Sequence, residues 1–126
     1  MTLRARIGGV CVALACVGAT AATALPGQTK PSFDGNWSVV VYTRSGPCDA
    51  AYRFSGQIVN GMIVYNGGGI DLAGRVRSNG AASLRVSSGS AYAVASGHLT
   101  ASRGAGTWYG QASGGRCAGN WVAQRS

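Results

Sequence analysis

Beyond Phe33, apolar and polar residues alternate along this chain in short runs that are separated by glycine-rich turns. A period of two is typical of β-strands, whose successive side chains point to opposite faces, and no stretch has the 3.6-residue period of a helix. Asn60-Gly61 is a strong signal for a two-residue hairpin loop, which pairs Val59 with Met62. The runs and turns predict eight short strands about 8–12 residues apart, which indicates an all-β sandwich or barrel.

Five of the strands have bounds that the alternation indicates directly. They are predicted at residues 36–44, 50–59, 70–77, 91–99 and 107–112. Strand three follows Asn60-Gly61, strand five ends before Ser88, and strand eight follows Ser113-Gly114-Gly115. The stretch 100–106 is predicted to be a loop because its residues are small.

The end of the chain repeats the start of its folded part, since Gly35-Asn36-Trp37 returns as Gly119-Asn120-Trp121. In an up-and-down antiparallel meander, strand eight would close against strand one and leave no exposed edge. Cys48 and Cys117 would then meet at one rim and form a disulfide, which closes a loop worth roughly 4 kcal/mol in the chain-entropy model. We therefore favour a small eight-stranded barrel with one disulfide, and a β-sandwich is the alternative.

Glycines and alanines on the predicted strands indicate close packing inside the barrel. Gly56, Gly74, Gly106 and Gly110 are interpreted as bends and close contacts, because glycine otherwise weakens a strand. A large empty cavity is therefore not expected.

The three tryptophans of the folded part, Trp37, Trp108 and Trp121, are interpreted as structural aromatics, because aromatic side chains dominate core burial. Trp108 and Tyr109 are adjacent, so they point to opposite faces of their strand. The outward ring of this pair is a candidate contact surface.

A basic cluster is predicted on the outer face of strands four and five. A three-residue loop, Asn79-Gly80-Ala81, would place Arg75 opposite Arg85, with Arg77 one step along the same face. Like charges directly across a strand pair are destabilising, so folding alone does not explain the cluster. Arg75, Arg77 and Arg85 are therefore the candidate face for an anionic partner.

The first 24 residues have the three parts of a secretory signal peptide. Arg4 and Arg6 are basic, residues 7–17 are apolar, and Ala22-Thr23-Ala24 is a small-residue cleavage site. The predicted domains are a signal peptide at 1–24, a flexible leader at 25–32 and the barrel at 33–126. A periplasmic or secreted mature chain without a transmembrane segment is expected, and lipidation of Cys16 is left open.

Charge favours anionic partners. Removal of Arg4 and Arg6 from the eleven basic residues leaves nine against three Asp, a formal net charge of +6. Such a balance favours an anionic envelope polymer or an acidic protein, and nothing points specifically to nucleic acid. The rival interpretation is that the charge serves solubility alone.

Residues for catalysis or metal binding are sparse. His98 is the single histidine, and the two mature cysteines are assigned to the disulfide. Three scattered Asp make a poor acid–base pair, and no nucleophile motif or nucleotide-binding glycine motif is present. The chain is therefore expected to be no enzyme and to use no cofactor or metal.

Several motifs together resemble a group of small exported proteins of Gram-negative bacteria with no established activity. They are Phe33-Asp34-Gly35-Asn36-Trp37, Gly46-Pro47-Cys48-Asp49, Tyr52-Arg53, Gly106-Thr107-Trp108 and Cys117-Ala118-Gly119-Asn120-Trp121. The resemblance covers residues 33–125 and implies export and shape but no chemistry. Gly35-Asn36-Trp37 is also similar to the Gly-x-Trp that opens lipocalin and avidin barrels.

Two functions follow as hypotheses. The first is a non-catalytic exported binding module that contacts an anionic envelope polymer or an acidic protein through its basic face. The alternative is a periplasmic inhibitor of a protease or lysozyme, because the chain is similar to small inhibitory barrels in size, disulfide and Gly-x-Trp opening. Residues 25–33 would then be the segment that contacts the secreted hydrolase.

Overall fold

The computed structural model describes residues 32–65 and 67–126. They form a closed antiparallel barrel in which each strand pairs with its neighbours in sequence and the last pairs with the first. The strands are β1 (Gly35–Ser45), β2 (Ala51–Val59), β3 (Met62–Val64), β4 (Asp71–Val76), β5 (Ala81–Ser88), β6 (Ala91–Leu99), β7 (Arg103–Ala112) and β8 (Gly115–Arg125). The predicted up-and-down barrel is confirmed over the sandwich.

Some predictions fall outside the described residues. The signal peptide at 1–24, lipidation of Cys16 and all of the leader at 25–32 except Ser32 belong to this part of the chain. They stay predictions.

The seam between β1 and β8 runs from the pair Trp37–Arg125 to the pair Thr43–Gly119, followed by a bulge. The predicted disulfide is confirmed, since Cys48 and Cys117 are bonded with their Cα atoms 6.1 Å apart. It joins the chain just after β1 to the start of β8, and therefore staples the seam at one rim.

Large inward side chains lie opposite glycines on the neighbouring strands. Trp121 faces Gly106, and Trp108 faces Gly119. A Cβ added at Gly106 would come within 2.6 Å of the Trp121 indole nitrogen, so the ring occupies the space that glycine leaves. The predicted close packing is confirmed at Gly106, and also at Gly74 and Gly110, where an added Cβ would come within about 3 Å of Leu84 and of Ala93.

The core is concentrated at one end of the barrel, which we call the closed end. It contains the start of β1, the ends of β2 and β4, the end of β6 and the end of β8. Its buried apolar residues are Phe33, Trp37, Ile58, Val76, Leu99, Trp121 and Ala123. The disulfide rim lies at the opposite end, which we call the mouth.

The hairpin between β2 and β3 has the predicted register, with Val59 opposite Met62. Asn60 and Gly61 both have positive φ, at 52° and 76°, as a two-residue hairpin turn requires. The carboxylate of Asp34 accepts hydrogen bonds from the backbone amides of Asn60 and Gly61, at 2.8 and 3.0 Å. This contact ties the turn to the segment before β1.

The hairpin between β4 and β5 corrects the predicted register. Arg77 and Ala81 flank the loop through a backbone hydrogen bond of 2.9 Å, so the loop is Ser78-Asn79-Gly80 and not Asn79-Gly80-Ala81. Gly80 has a φ of 93° at the last loop position, where three-residue hairpin loops place their left-handed residue. Because the register moves by two residues, every side chain keeps its predicted face.

Strand β7 begins earlier than predicted, because part of the stretch 100–106 is already strand. Gly104 pairs with Leu99, and Gly106 pairs with Gly97 beside the ring of Trp121. Small residues here are a packing requirement of the closed end, which outweighs their low strand propensity.

Candidate functional site

The interior of the barrel contains an apolar cavity of about 530 Å³. It extends from the mouth to the closed end, and the expectation of a tightly filled interior is therefore wrong. Tyr52 and Phe54 of β2 line it near the mouth, and Trp37 and Trp121 line it at the closed end. A volume of this size lies within the ~300–1,000 Å³ of small-molecule sites.

Small residues on one wall create this space. Strand β6 contributes Ala91, Ala93 and Ala95 to the lining. Ala93 lies between Val86 of β5 and Gly110 of β7 in the ladders, so no large side chain on either neighbouring strand fills the space beside it. The run of alternate alanines was the sequence signal for the cavity, but the same pattern also suits close packing.

The tryptophans that line the cavity donate their indole N–H groups to backbone carbonyls of the protein. Trp37 donates to the carbonyl of Phe33 at 2.9 Å, and Trp108 donates to the carbonyl of Tyr42 at 2.9 Å. The indole of Trp121 likewise donates to a backbone carbonyl, in a contact of 3.2 Å within the barrel wall. No indole donor therefore remains for a bound molecule.

The closed end has no polar core. Among the described residues, no polar or charged residue is buried, while Trp37 is only 3% exposed. Trp37 and Trp121 belong to the buried core and Trp108 packs against it, and all three also form part of the lining of the cavity.

The mouth carries the polar groups nearest to the cavity. The hydroxyl of Tyr52 accepts a hydrogen bond from the backbone amide of Asp49 at 3.3 Å, and the hydroxyl of Ser88 donates to the carbonyl of Gly69 at 2.9 Å. Gln111 also lines this end of the cavity. Gln57, Ser83 and Ser87 also border the cavity, but they alternate with the inward residues Ile58, Leu84 and Val86, so their side chains point to the outer face.

The sheet has few ladder pairs on the β3 side of β2. Strand β3 has only three residues, and its ladder with β4 consists of the pair Met62–Arg75. Beyond the pair Gln57–Val64, the described residues provide no ladder partner for this side of β2. Phe54 is partly exposed here and packs edge-on against the ring of Tyr65, with the ring centroids 6.1 Å apart.

The predicted basic face is present, but its internal contacts differ from the prediction. Arg75 lies opposite Ser83, and Arg85 lies opposite Ala73, so the two arginines are diagonal neighbours and not a direct pair. All three arginines, including Arg77, are exposed. The guanidinium of Arg85 stacks on the ring of Tyr92, 5.4 Å from its centroid.

The remaining candidate residues take the positions expected from the alternation. His98 is exposed on the outer wall, and Tyr109 is the outward member of its pair, with 51% of its surface exposed. In the part of the chain that the structure describes, no cluster of three His, Cys, Asp or Glu residues has a geometry that holds a metal. That part also contains no helix of the length and hydropathy needed to cross a membrane.

The segment proposed to contact a hydrolase ends inside the barrel floor. Phe33 is buried in the core, its carbonyl accepts from Trp37, and the carbonyl of Ser32 accepts a hydrogen bond from Arg125 at 3.0 Å. This end of the segment at 25–33 is therefore not free to enter another protein's cleft.

No family model, curated protein or solved structure matches this chain. The candidate site comprises an apolar cavity closed at one end, with inward polar side chains at its mouth, and a separate basic face lies on the outer wall.

Proposed function

We propose that this protein is a non-catalytic binding protein that holds a small apolar molecule inside its barrel. The observation that carries the proposal is the cavity of about 530 Å³, which has an apolar lining and is open at the mouth. Burial of apolar ligand surface is favourable by ~25 cal/mol per Å² before the costs of association.

The lining also makes the empty cavity a poor site for water. A buried water needs two to four polar partners, and the indoles of Trp37, Trp108 and Trp121 donate to backbone carbonyls instead. An apolar ligand therefore displaces little well-bound water.

Binding of the neutral fluorescent probe N-phenyl-1-naphthylamine tests this function. We expect saturable enhancement of probe fluorescence at one site per chain, together with a change in tryptophan emission, because Trp37, Trp108 and Trp121 line the cavity. Absence of saturable binding would overturn the proposal.

A matched pair of variants locates the probe. Ala93→Leu adds an inward side chain to the cavity, whereas Val94→Leu places the same residue on the outer wall of β6. We expect Ala93→Leu to weaken probe binding at least about tenfold, because the new side chain occupies ligand space, and we expect Val94→Leu to bind as the unaltered chain does. Equal binding by both variants would place the probe outside the barrel.

A second function is favoured by the outer wall. We propose that Arg75, Arg77 and Arg85 contact an anionic envelope polymer or an acidic protein, since all three are exposed and Arg75 and Arg85 are diagonal neighbours on one face. Retention on an anionic matrix across a salt gradient tests it, because binding by exposed charges weakens with salt. The proposal fails if neutralisation of all three arginines leaves the elution position unchanged.

A further inference from the structure

We propose that the ligand of the cavity is a single-chain amphiphile, which enters tail-first and keeps an anionic head group at the mouth. The inference rests on the proposed binding function and specifies the chemistry of the molecule bound.

The inner part of the cavity accepts only hydrocarbon. A polar group that is buried without a hydrogen-bond partner is costly. At the closed end the indoles of Trp37 and Trp121 have their donors engaged, and their neighbours Ile58, Val76 and Leu99 are apolar. The end of the ligand that reaches this floor therefore carries no hydrogen-bonding group.

The cavity is deep relative to its width. Tyr52 lines it near the mouth and Ile58 at the closed end, and the two are six residues apart along β2. At ~3.3 Å per residue and a strand tilt of ~40°, this separation gives a depth of about 15 Å. An eight-stranded barrel is just wide enough for one small ligand, so an elongated single chain fits better than a broad ring system.

The floor does not let such a chain pass through. Arg125 covers the ring of Trp37 from the last strand, and its guanidinium also donates to the carbonyls of Ser32 and Asp34. The polar end of an amphiphile must therefore remain at the mouth.

The polar groups at the mouth are suited to a ligand head group that accepts hydrogen bonds. The hydroxyl of Tyr52 accepts from the amide of Asp49, which leaves its own proton to donate. On another wall, Gln111 lines the cavity, and Arg116 is its direct partner across the β7–β8 ladder. Gln111 and Arg116 share the outward face of Tyr109, so Arg116 is an exposed residue on the outer side of the rim, beside the mouth.

The charge around the mouth favours an anion. Three arginines and two aspartates lie on or beside the strand ends at this rim, and their formal sum is +1; they are Arg44, Arg53, Arg116, Asp49 and Asp71. The side chain of Arg44 donates to Asn120. Within the described residues, Arg53 and Arg116 donate no side-chain hydrogen bond, and they are the cations available to a head group.

Competition against N-phenyl-1-naphthylamine with three ligand series tests the inference. For linear alkanoates we expect affinity to rise about fourfold per added CH₂, until the tail reaches the closed end and the gain stops. We expect α,ω-dicarboxylates of the same lengths to bind at least about a hundredfold more weakly, because one charge would be buried. Alkyltrimethylammonium ions should bind more weakly than alkanoates of equal length.

A pair of variants tests the head group. Arg116→Gln should weaken alkanoate binding about threefold and leave probe binding unchanged, whereas Arg103→Gln at the closed end should alter neither. Equal affinity for dicarboxylates, or for the ammonium series, overturns the inference, as does an unaffected alkanoate affinity in Arg116→Gln. Failure of the probe itself to bind overturns the proposed function instead.

Discussion

The guanidinium carbon of Arg125 lies 4.9 Å from the ring centroid of Trp37, its direct partner across the seam between β8 and β1. The same side chain donates to the carbonyls of Asp34 at 2.6 Å, Ser32 at 3.0 Å and Ala101 at 2.8 Å. One residue of the last strand therefore connects the first strand, the segment before it and the turn between β6 and β7.

Replacement of Arg125 by Lys should destabilise the barrel by about 1–3 kcal/mol. Lysine keeps the charge but loses the planar fork that serves three carbonyls and the Trp37 ring. Urea denaturation measures the change, and Arg103→Lys, an exposed change on β7, is the matched control. If both variants unfold at the same urea concentration, Arg125 does not hold the closed end together.

Gly106 is predicted to be intolerant of even a methyl group. A Cβ there would approach the indole nitrogen of Trp121 to 2.6 Å and would also contact the carbonyl of Ser96. We expect Gly106→Ala to cost about 1–3 kcal/mol through overpacking. The control is Gly68→Ala, where an added Cβ would have nothing within 4 Å. Equal melting temperatures for the two variants would contradict this packing.

The alternation and turns of the sequence were sufficient to predict the number of strands, their faces and the closure, although not the start of β7. These features are local, and a face assignment survives an error of two residues in register, as the hairpin after β4 shows. Its loop was misplaced because both candidate loops contain Gly80 and differ only in which position is left-handed. The position that Gly80 takes in the loop therefore determines the register between β4 and β5.

The cavity was harder to predict because it depends on which side chains lie opposite each other across strands. Gly106 faces Trp121, which fills the space, whereas Ala93 lies between Val86 and Gly110 and its inward side lines the cavity. A small residue on a strand is consistent with either outcome until the ladder is known. The role of Arg125 was missed for the same reason, since its partners are distant in sequence.

The disulfide should make a large contribution to stability. Cys48 and Cys117 are 69 residues apart, and joining them restricts the unfolded chain. We expect the double variant Cys48→Ala, Cys117→Ala to be less stable by about 2–5 kcal/mol. A reductant should lower the melting temperature of the unaltered chain and leave that of the double variant unchanged. Insensitivity of the unaltered chain to the reductant, with the bond shown to be reduced, would contradict this role.

Arg85→Thr separates two accounts of the basic face. Direct repulsion between Arg75 and Arg85 would make the variant more stable, but Arg85 lies opposite Ala73 and stacks on Tyr92. We therefore expect a loss of about 0.5–1 kcal/mol from the cation–π contact, partly offset by the good strand propensity of threonine.

The matched control is Arg75→Thr, because Arg75 lies opposite Ser83 on the same face. We expect its stability to stay within about 0.5 kcal/mol of the unaltered chain, as for most surface changes. Both variants should elute from an anionic matrix at lower salt if the face binds an anionic partner. A higher melting temperature for Arg85→Thr would mean that charge repulsion outweighs the Tyr92 contact. Unchanged elution of both variants would mean that neither Arg75 nor Arg85 takes part in binding to the anionic matrix.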